Sequence, residues 1–456
     1  MAEELGIMDE DEVHADRVAA ILDAVETRDS VRLSELLEPL HAADIADVLE
    51  QIGSADRRAL IALWSGEIDG EILSEIDESI REEVIESLPR EVVAEAMREL
   101  DTDDVVDILE DLDAPQQGLI LDALEDADRV AVEQAMAYPE GSAGRLMQRE
   151  VVVAPEHWSV GETIDFLRGA DVLPDQFYHV ILTDPRMKPT GYVTLGRLLS
   201  SRREVKLREI LEDSFRTVPA TESEDDIAYI FNQYHLISMP VVDAAGRLVG
   251  VITIDDAMNV LDEEHEQDML RLAGVGDESS LSDGAFATAR QRLPWLVVNL
   301  FTASISAFVI SRFESTIAAL VTLAALMPIV ASTGGIAGTQ SLAVAVRALA
   351  TRDLTSANAK RVVMREVMGG LLNGLGLAVI LGLGGTLIFG DVKLGLVLGA
   401  AMITNQVVAA LGGVLVPLGL HRLDLDPALA SGTFVTTLTD VLGYLAFLGL
   451  ASLFLL

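Results

Sequence analysis

The stretch that decides the fold is DPALASGTFVTTLTDVLGYLAFLGLASLFLL, residues 426–456. From Pro427 onward it holds one charged residue, Asp440, in an apolar run long enough to cross a bilayer. A carboxylate at that depth costs at least about 2.5 kcal/mol and normally faces a bundle interior or a water-filled path. Polar side chains share the side of Asp440 at helical spacing: Thr433, Thr436, Thr437 and Tyr444.

Two interpretations of Asp440 stay open. In the first, the carboxylate lies on an ion or proton path, which is the usual reason for an acid inside a membrane. In the second, Asp440 forms a hydrogen bond to a neighbouring helix and only holds the bundle together. We favour the first interpretation because intramembrane acids are functional by default.

The charged and the apolar residues are segregated along this chain of 456 residues with a net charge of −42. From Gln291 onward there are 9 Lys and Arg against 7 Asp and Glu, which leaves 23 basic and 67 acidic residues in 1–290. An acidic soluble part therefore precedes a nearly uncharged membrane part. Such an acidic surface excludes nucleic acid, which needs basic patches, and favours cations. Adaptation to a salt-rich cytoplasm would also produce acidity, so total charge alone does not identify a cation sensor.

The sequence indicates no enzyme and no thiol chemistry. It has no cysteine, which excludes disulfides and thiolate metal sites. Its seven histidines are scattered, and there is no phosphate-binding loop. The start, MAEELGIMDEDEV, is acidic without an apolar core, so we expect no signal peptide and a cytoplasmic N-terminal part.

Residues 1–138 predict an acidic all-α domain, because apolar residues recur every three or four positions. A short unit recurs loosely at 37–52, 97–112 and 121–136. Short helices of this kind stack into a superhelical array, since no single one can bury its own apolar face.

Residues 139–260 predict two α/β units in tandem. Each runs strand, helix, strand, strand, helix, with a hydrophobic strand that closes in Gly-x-x-Thr. The second unit closes as MPVVDAAGRLVGVITIDD, and the pair resembles tandem CBS domains. In some CBS domains the Thr and Asp of this closing pattern hold an adenosine ribose, a resemblance that makes Thr253 and Asp256 candidates for ATP. The alternative is a nucleotide-free pair used for dimerisation and conformational sensing.

Residues 261–290 predict an acidic connecting helix between these domains and the membrane part. Its acids, with the two that precede it, are candidate ligands for cytoplasmic divalent cations: Asp255, Asp256, Asp262, Glu263 and Glu264. The alternative is a solvated acidic face, as most charge runs are.

Residues 291–456 predict an α-helical membrane domain of five spans, near 293–311, 315–346, 367–390, 394–420 and 427–456. In the second segment, Pro328 and the pair Gly334–Gly335 predict a break or kink. Freed backbone carbonyls would then offer oxygen ligands to a hard cation on the path of Asp440. The alternative for these small residues is tight contact between helices.

The loops predict the topology. The connection between the second and third spans is rich in basic residues: Arg347, Arg352, Lys360, Arg361 and Arg365. The opposite side has only Arg312 and Lys393. The positive-inside rule then places the N-terminal domains in the cytoplasm and the C-terminus outside.

This order of domains resembles the MgtE family of magnesium channels. The segments YPEGSAGRLM, RLAGV and SGTFVTTLTDVLG match its recurrent segments. The resemblance implies a homodimer in the lipid membrane with a pore on the two-fold axis and connecting helices that act as a plug. It also implies that cytoplasmic Mg²⁺ bound among acidic residues holds the channel shut, and that Asp440 is the pore aspartate that binds hydrated Mg²⁺. Two positions depart from the family pattern, Ile336 in place of Asn and Thr433 in place of Pro, so selectivity among divalent cations stays open.

The expected function is uptake of Mg²⁺ across the cytoplasmic membrane through a channel gated shut by cytoplasmic Mg²⁺. The pore would use Asp440 with Thr433, Thr436, Thr437, Gly334 and Gly335. The alternative is a proton- or sodium-coupled secondary transporter for Mg²⁺, Mn²⁺ or Co²⁺. A third hypothesis, a membrane-anchored CBS receptor without transport, leaves the threonine stripe beside Asp440 without a purpose.

Overall fold

The computed structural model describes residues 10–170, 173–174, 177–275, 285–423, 425–428 and 431–456. The acidic start of the chain and residues 276–284 of the connecting segment lie outside these ranges. The chain forms two compact units, one ending at Glu263 and the other beginning at Glu264.

The first unit opens with short helices, as the apolar spacing predicts. They are α1 Glu10–Thr27, α2 Ser30–Leu37, α3 Ala42–Gln51, α4 Ser54–Trp64, α5 Gly70–Ser74, α6 Glu78–Ser87, α7 Arg90–Glu99, α8 Thr102–Glu110, α9 Ala114–Leu121 and α10 Asp126–Ala135. Helices two apart in the sequence contact each other, as α2 with α4, α3 with α5, α4 with α6 and α5 with α7. One continuous apolar core therefore runs from Ile21 to Ala135. The prediction of an all-α domain is confirmed.

Two buried arginines close helix ends in this array. Arg57 is 3% exposed and donates to the carbonyl oxygens of Leu49 at 2.7 Å and Ile52 at 3.1 Å, at the end of α3. Its remaining nitrogen binds Glu83 at 2.7 Å. Arg81 repeats the arrangement on Ile76 after α5, with a carbonyl distance of 3.0 Å. The last carbonyls of a helix lack partners within it, so these guanidinium groups supply the missing donors.

Replacement of Arg57 by Met should destabilise the first unit strongly. It leaves two buried carbonyls and Glu83 without their donor, a loss of about 3–5 kcal/mol for a broken buried ion pair. Arg58→Met on the same helix is the matched control, since Arg58 is exposed and pairs with Glu83 at 3.3 Å, an interaction of about 0–1 kcal/mol. Thermal unfolding of the full-length protein in detergent measures both variants. Equal effects would contradict a capping role for Arg57.

The second part of this unit holds two α/β repeats after the short α11 Ala143–Leu146. The first has β1 Val153–Pro155, α12 Val160–Gly169, β2 His179–Thr183, β3 Pro189–Thr194 and α13 Leu195–Ser200. The second has β4 Val218–Pro219, α14 Glu224–Tyr234, β5 Ser238–Val242, β6 Leu248–Thr253 and α15 Ile254–Ala273. In each sheet the first two strands are parallel and the last two antiparallel.

A side-chain hydrogen bond joins the two repeats at equivalent positions. His179 and Ser238 are the first residues of β2 and β5. Both are buried, and their side chains are hydrogen-bonded to each other. Burial lowers the pKa of His179, so the neutral imidazole is favoured in this contact. The predicted pattern of two α/β units is confirmed.

The described residues of the second unit include five helices long and apolar enough to span a membrane, as predicted. Its helices after α15 are α16 Ala285–Ser311, α17 Glu314–Ala319, α18 Thr322–Ala350, α19 Ala359–Phe389, α20 Val392–His421 and α21 Ser431–Phe454. The short α17 separates the first span from the second, so the long segment predicted at 315–346 is two helices. Helix α20 is central, since it contacts α18, α19 and α21.

Of the break or kink predicted in the second span, the break was wrong. Helix α18 continues through Pro328 and through Gly334–Gly335. Pro328 lies inside the helix, where its missing N–H removes the hydrogen bond to the Ala324 carbonyl without ending the helix. The glycines instead allow close approach, because a Cβ on Gly334 would lie 2.1 Å from Nδ2 of Asn405 in α20. The alternative of tight helix contact therefore explains Gly334.

Candidate functional site

One side of helix α21 packs against neighbouring helices, and another side is polar. Val435, Thr439 and Phe447 are each 0% exposed. On the other side Thr436 is exposed, whereas Thr433, Thr437, Asp440 and Tyr444 are partly exposed. The polar stripe drawn from the sequence is therefore one continuous surface of the helix.

Asp440 has no hydrogen-bond or ion-pair partner in the part of the chain that the structure describes. The threonine hydroxyls nearby bind their own helix: Thr437 donates to the Thr433 carbonyl at 2.7 Å, and Thr439 donates to the Thr436 carbonyl at 2.8 Å. An unpaired carboxylate in an apolar helix is costly unless water, a proton or a cation reaches it. The interpretation of Asp440 as a hydrogen-bonded contact to another helix of the same chain has no support in this geometry.

Helix α18 lies beside this stripe. A Cβ on Gly335 would lie 3.6 Å from Cγ2 of Thr436, and a Cβ on Gly338 would lie 2.6 Å from Cγ1 of Val435. The structure thus brings Gly335 to the stripe, whereas Gly334 faces α20. Ile336, one of the departures from the family pattern, is 56% exposed.

Two buried amides in α20 were not predicted from the sequence. Asn405 is 0% exposed and donates through Nδ2 to the Val330 carbonyl at 2.7 Å, and Gln406 donates to the Thr333 carbonyl at 3.2 Å. The Asn405 amide also lies 2.9 Å from the position of a Cβ on Gly443 in α21. One side chain therefore occupies the junction of α18, α20 and α21. The signal was present as a polar pair, Asn405–Gln406, inside an apolar run.

Replacement of Gly334 by Ala should lower the melting temperature of the membrane unit. The new methyl group displaces Asn405 from the Val330 carbonyl, and forced rearrangement of a close contact costs about 1–3 kcal/mol. Gly376→Ala in α19 is the control, because no atom lies within 4 Å of its added Cβ. We expect the control to match or exceed the wild type, since Ala favours helix over Gly. Thermal unfolding in detergent separates the two variants, and an equal response would contradict the contact described.

A second candidate site is a carboxylate cluster within the first unit. Its members come from α8, from the start of α14 and from α15: Asp103, Asp104, Asp107, Glu110, Glu224, Asp255, Asp256 and Glu263. Asp107 lies at the centre, since it repels Asp104, Glu224, Asp256 and Glu263. Arg81 pairs with Asp107 at 2.9 Å and with Asp111 at 2.5 Å, and Arg145 pairs with Glu110. These two arginines leave most of the negative charge uncompensated.

Crowding changes how these acids ionise. Burial, followed by repulsion from Asp256 and Asp101, raises the pKa of Asp104 to about 7. Although Glu263 keeps part of its surface in solvent, partial burial, with repulsion from Asp107 and Glu78, raises its pKa to about 7. Burial also raises the pKa of Asp256 to about 6, although the Thr253 hydroxyl that donates to it opposes the shift. The cluster therefore favours any ligand that supplies positive charge.

The cluster contains some of the predicted cation ligands and not others. Asp255, Asp256 and Glu263 belong to it, whereas Asp262 takes no part in its described interactions. Glu264 belongs to the second unit. The α8 acids were not among the cation ligands predicted from the sequence. Among the described residues no group of three or more His, Asp or Glu is arranged closely enough to hold a metal ion.

Thr253 and Asp256, the candidate nucleotide-binding residues, form a hydrogen bond with each other. The Thr253 hydroxyl donates to Oδ2 of Asp256 at 2.6 Å, at the start of α15. Asp256 therefore accepts a hydrogen bond at the start of α15 and also belongs to the carboxylate cluster.

Without divalent cations, the first unit should lose stability as pH rises. The pKa of Asp104 is about 7 in the folded chain and near 3.8 when unfolded. Over that interval the folded state binds more protons, so stability falls as pH increases towards 7. In the presence of a chelator, the Asp104→Asn protein should be more stable than the wild type, and this difference in stability should grow from pH 5 to pH 8. Thermal unfolding of the full-length protein measures it, with the exposed Asp126→Asn as control; a constant difference would contradict the repulsion described.

Comparison with known proteins assigns the chain to a family. The magnesium transporter MgtE of Thermus thermophilus is 33% identical over 441 residues, which is 96% of this chain and 98% of that protein. The chain belongs to the MgtE family of magnesium transporters. The MgtE of Bacillus subtilis is 29% identical over 78% of this chain and 79% of its own length. The family models that match are the divalent cation transporter at 327–450, the MgtE intracellular N domain at 40–141 and the CBS domain at 207–263.

Among solved structures, the cytosolic domain of the Mg²⁺ channel MgtE in complex with ATP is similar, with a TM-score of 0.49 and 27% identity. That similarity covers 53% of this chain and 99% of the solved one. MgtE proteins are transporters and not enzymes, and Mg²⁺ is their transported substrate. This chain is therefore a multi-pass membrane protein of magnesium transport.

Proposed function

We propose that the protein is a channel for Mg²⁺ uptake, with its pore between the α21 stripes of two copies of the chain. The observation that carries this proposal is Asp440, a carboxylate in a membrane helix without a partner in its own described chain. A second copy would bring a second carboxylate to the axis. The two charges would attract a divalent cation strongly in a medium of low dielectric constant.

The chemistry of the stripe suits a hydrated ion. Mg²⁺ gives up its water reluctantly and usually keeps several water ligands. Thr433, Thr436 and Thr437 offer oxygen atoms that accept hydrogen bonds from such water, and Gly335 leaves room beside Thr436. Contact through water would allow the ion to leave again, as conduction requires.

Removal of the Asp440 charge should abolish Mg²⁺ flux. We expect Asp440→Ala and Asp440→Asn to lower flux into liposomes at least about tenfold, because each removes the charge that attracts the ion. Glu314→Gln is the control, since Glu314 is exposed and lies outside the stripe. Normal flux through Asp440→Asn would refute the pore site. Flux that follows an imposed proton or sodium gradient would instead favour the coupled transporter.

We propose further that the carboxylate cluster senses Mg²⁺ on the cytoplasmic side, with the C-terminus of the chain outside. Without cations its acids repel one another across α8, α14 and α15, which disfavours the compact arrangement. Bound Mg²⁺ would offset this repulsion and favour that arrangement as the closed state. Closure requires that the closed state bind Mg²⁺ more tightly than the open state.

The end of α15 offers a route from this helix to the pore, as expected of a plug. Nη1 of Arg271 lies 2.6 Å from Oδ2 of Asp426, just before α21. Leu272 contacts an apolar group formed by Leu342, Val346, Ala428 and Val435. A displacement of the connecting helix would therefore act on α18 and α21 together.

Neutralisation within the cluster should change the Mg²⁺ dependence of closure. Asp104→Asn and Asp256→Asn remove charges that the cation would bind, so we expect half-closure at several-fold higher inner-face Mg²⁺ with maximal flux unchanged. Asp126→Asn, an exposed acid of α10 outside the cluster, should close like the wild type. Proteoliposome flux at varied inner-face Mg²⁺ measures this. Unchanged half-closure in both cluster variants would contradict the sensor.

An adenine nucleotide at Thr253 and Asp256 is a further proposal. Its ribose hydroxyls would take the place of the Thr253 donor on Asp256, so nucleotide binding and the carboxylate cluster would share one acid. ATP should therefore alter the Mg²⁺ concentration for closure, and calorimetry of Asp256→Asn with ATP tests the shared residue. Unchanged ATP affinity in that variant would contradict the assignment.

A further inference from the structure

A pocket of about 350 Å³ that contains several basic side chains lies between α18 and α19, away from the α21 stripe. Arg347 from α18 and Arg361 and Arg365 from α19 line it, with Ser341, Thr351 and Asn358 as hydrogen-bonding groups. A pocket with three guanidinium groups repels Mg²⁺, so it has no evident place on a cation path.

The two acids of this pocket already have donors. Asp353 accepts from the Thr351 hydroxyl at 3.0 Å. Glu366 accepts from Ser341 at 3.4 Å and pairs with Arg365 at 3.3 Å. Arg347 and Arg361 have no carboxylate partner among the described residues. The pocket therefore offers unpaired positive charge.

An apolar groove continues from the pocket along α19. Arg361 and Arg365 line both the pocket and the groove, and Lys360 lines the groove near the N-terminal end of α19. Met364 lies between Arg361 and Arg365 along the helix, and Met368, Gly369 and Leu372 line the groove further along α19. The side chains of Met364, Met368 and Leu372 are 59%, 52% and 62% exposed. Positive charge at one end and apolar surface below it are complementary to a molecule with an anionic head and a hydrocarbon tail.

The length of α19 places this groove at the right depth. The helix has 31 residues, which at 1.5 Å per residue is about 46 Å, whereas the hydrocarbon core is about 30 Å thick. Its first turns therefore lie at the level of the headgroups, where Lys360, Arg361 and Arg365 meet lipid phosphates. Met368 and Leu372 lie about two and three turns beyond Lys360, at the level of acyl chains.

We propose that this pocket and groove hold an anionic phospholipid, with its phosphate among Arg347, Lys360 and Arg361 and one acyl chain along Met364, Met368 and Leu372. Basic pockets between membrane helices on the cytoplasmic side bind anionic headgroups in this way. The lipid would join the α18–α19 connection to the inner leaflet. The proposal does not depend on channel gating or on Asp440.

Two pairs of variants test the head and the tail separately. Lys360→Gln with Arg361→Gln removes two cations, and Arg312→Gln with Lys393→Gln removes two at the opposite end of the spans. Gly369→Leu fills the groove and keeps every charge, since no atom lies within 4 Å of a Cβ added there. Gly376→Leu is its control, with equally open surroundings on the same helix.

Native mass spectrometry of the full-length protein in detergent should detect preferential retention of phosphatidylglycerol over phosphatidylcholine with the same acyl chains. We expect the Lys360→Gln/Arg361→Gln protein to bind phosphatidylglycerol about tenfold more weakly. Each cation near the membrane surface contributes roughly fivefold in affinity, and screening by salt reduces the combined effect of two. Gly369→Leu should weaken it several-fold, and both controls should retain it. Thermal unfolding in the same detergent establishes that the variants are folded.

Three outcomes would overturn the proposal. The first is equal retention of the two lipids by the wild type. The second is unchanged binding in Gly369→Leu together with displacement by millimolar inorganic phosphate, which would identify a site for free anions. The third is an equal loss in a test variant and its control, which would indicate a general surface effect.

Discussion

The membrane unit is constrained by one carboxylate, Asp440, which has no counter-charge in its own described chain. Every span around it is apolar, so the charge must be met by water, by an ion or by another copy of the protein. This requirement explains why α21 has one side of threonines and another of fully buried residues. In our proposal a second chain and a hydrated Mg²⁺ meet the charge together. In this proposal the bundle also depends on close helix contacts, because α21 must be held in place for Asp440 to face a narrow ion path.

Those contacts come from small residues and buried amides. Gly334 and Gly443 make room for Asn405, whose amide binds the Val330 carbonyl and joins three helices at one point. An amide can do this without adding charge, so it leaves Asp440 as the electrostatic centre. The soluble unit uses the opposite principle. There many acids gather around Asp107, and in our proposal their mutual repulsion makes the geometry responsive to cations. A fixed single charge suits conduction, whereas a crowded group of charges suits regulation.

Much of this organisation could be predicted from the sequence, because apolar spacing and charge segregation determine it. The five spans, the all-α first domain and the two α/β repeats were all expected on those grounds. The stripe of Asp440 was also expected, since helical spacing fixes which side chains share a side. The continuity of α18 was not, because whether Gly334 breaks a helix or admits a neighbour depends on Asn405, which is 71 residues away in the sequence. The contribution of α8 to the carboxylate cluster was missed for the same reason, since the acids it meets lie on α14 and α15, far away in the sequence.

The central claim is that the α21 stripe lines a water-filled ion path. The chain has no cysteine, so single Thr436→Cys and Leu445→Cys variants can be probed with a small cationic thiol reagent during Mg²⁺ flux. Thr436 lies on the stripe, and Leu445 is exposed on another side of the helix. The account predicts that the reagent modifies the Thr436→Cys protein and blocks its flux, while the Leu445→Cys protein conducts unchanged. Rapid modification at Leu445→Cys with none at Thr436→Cys would contradict it.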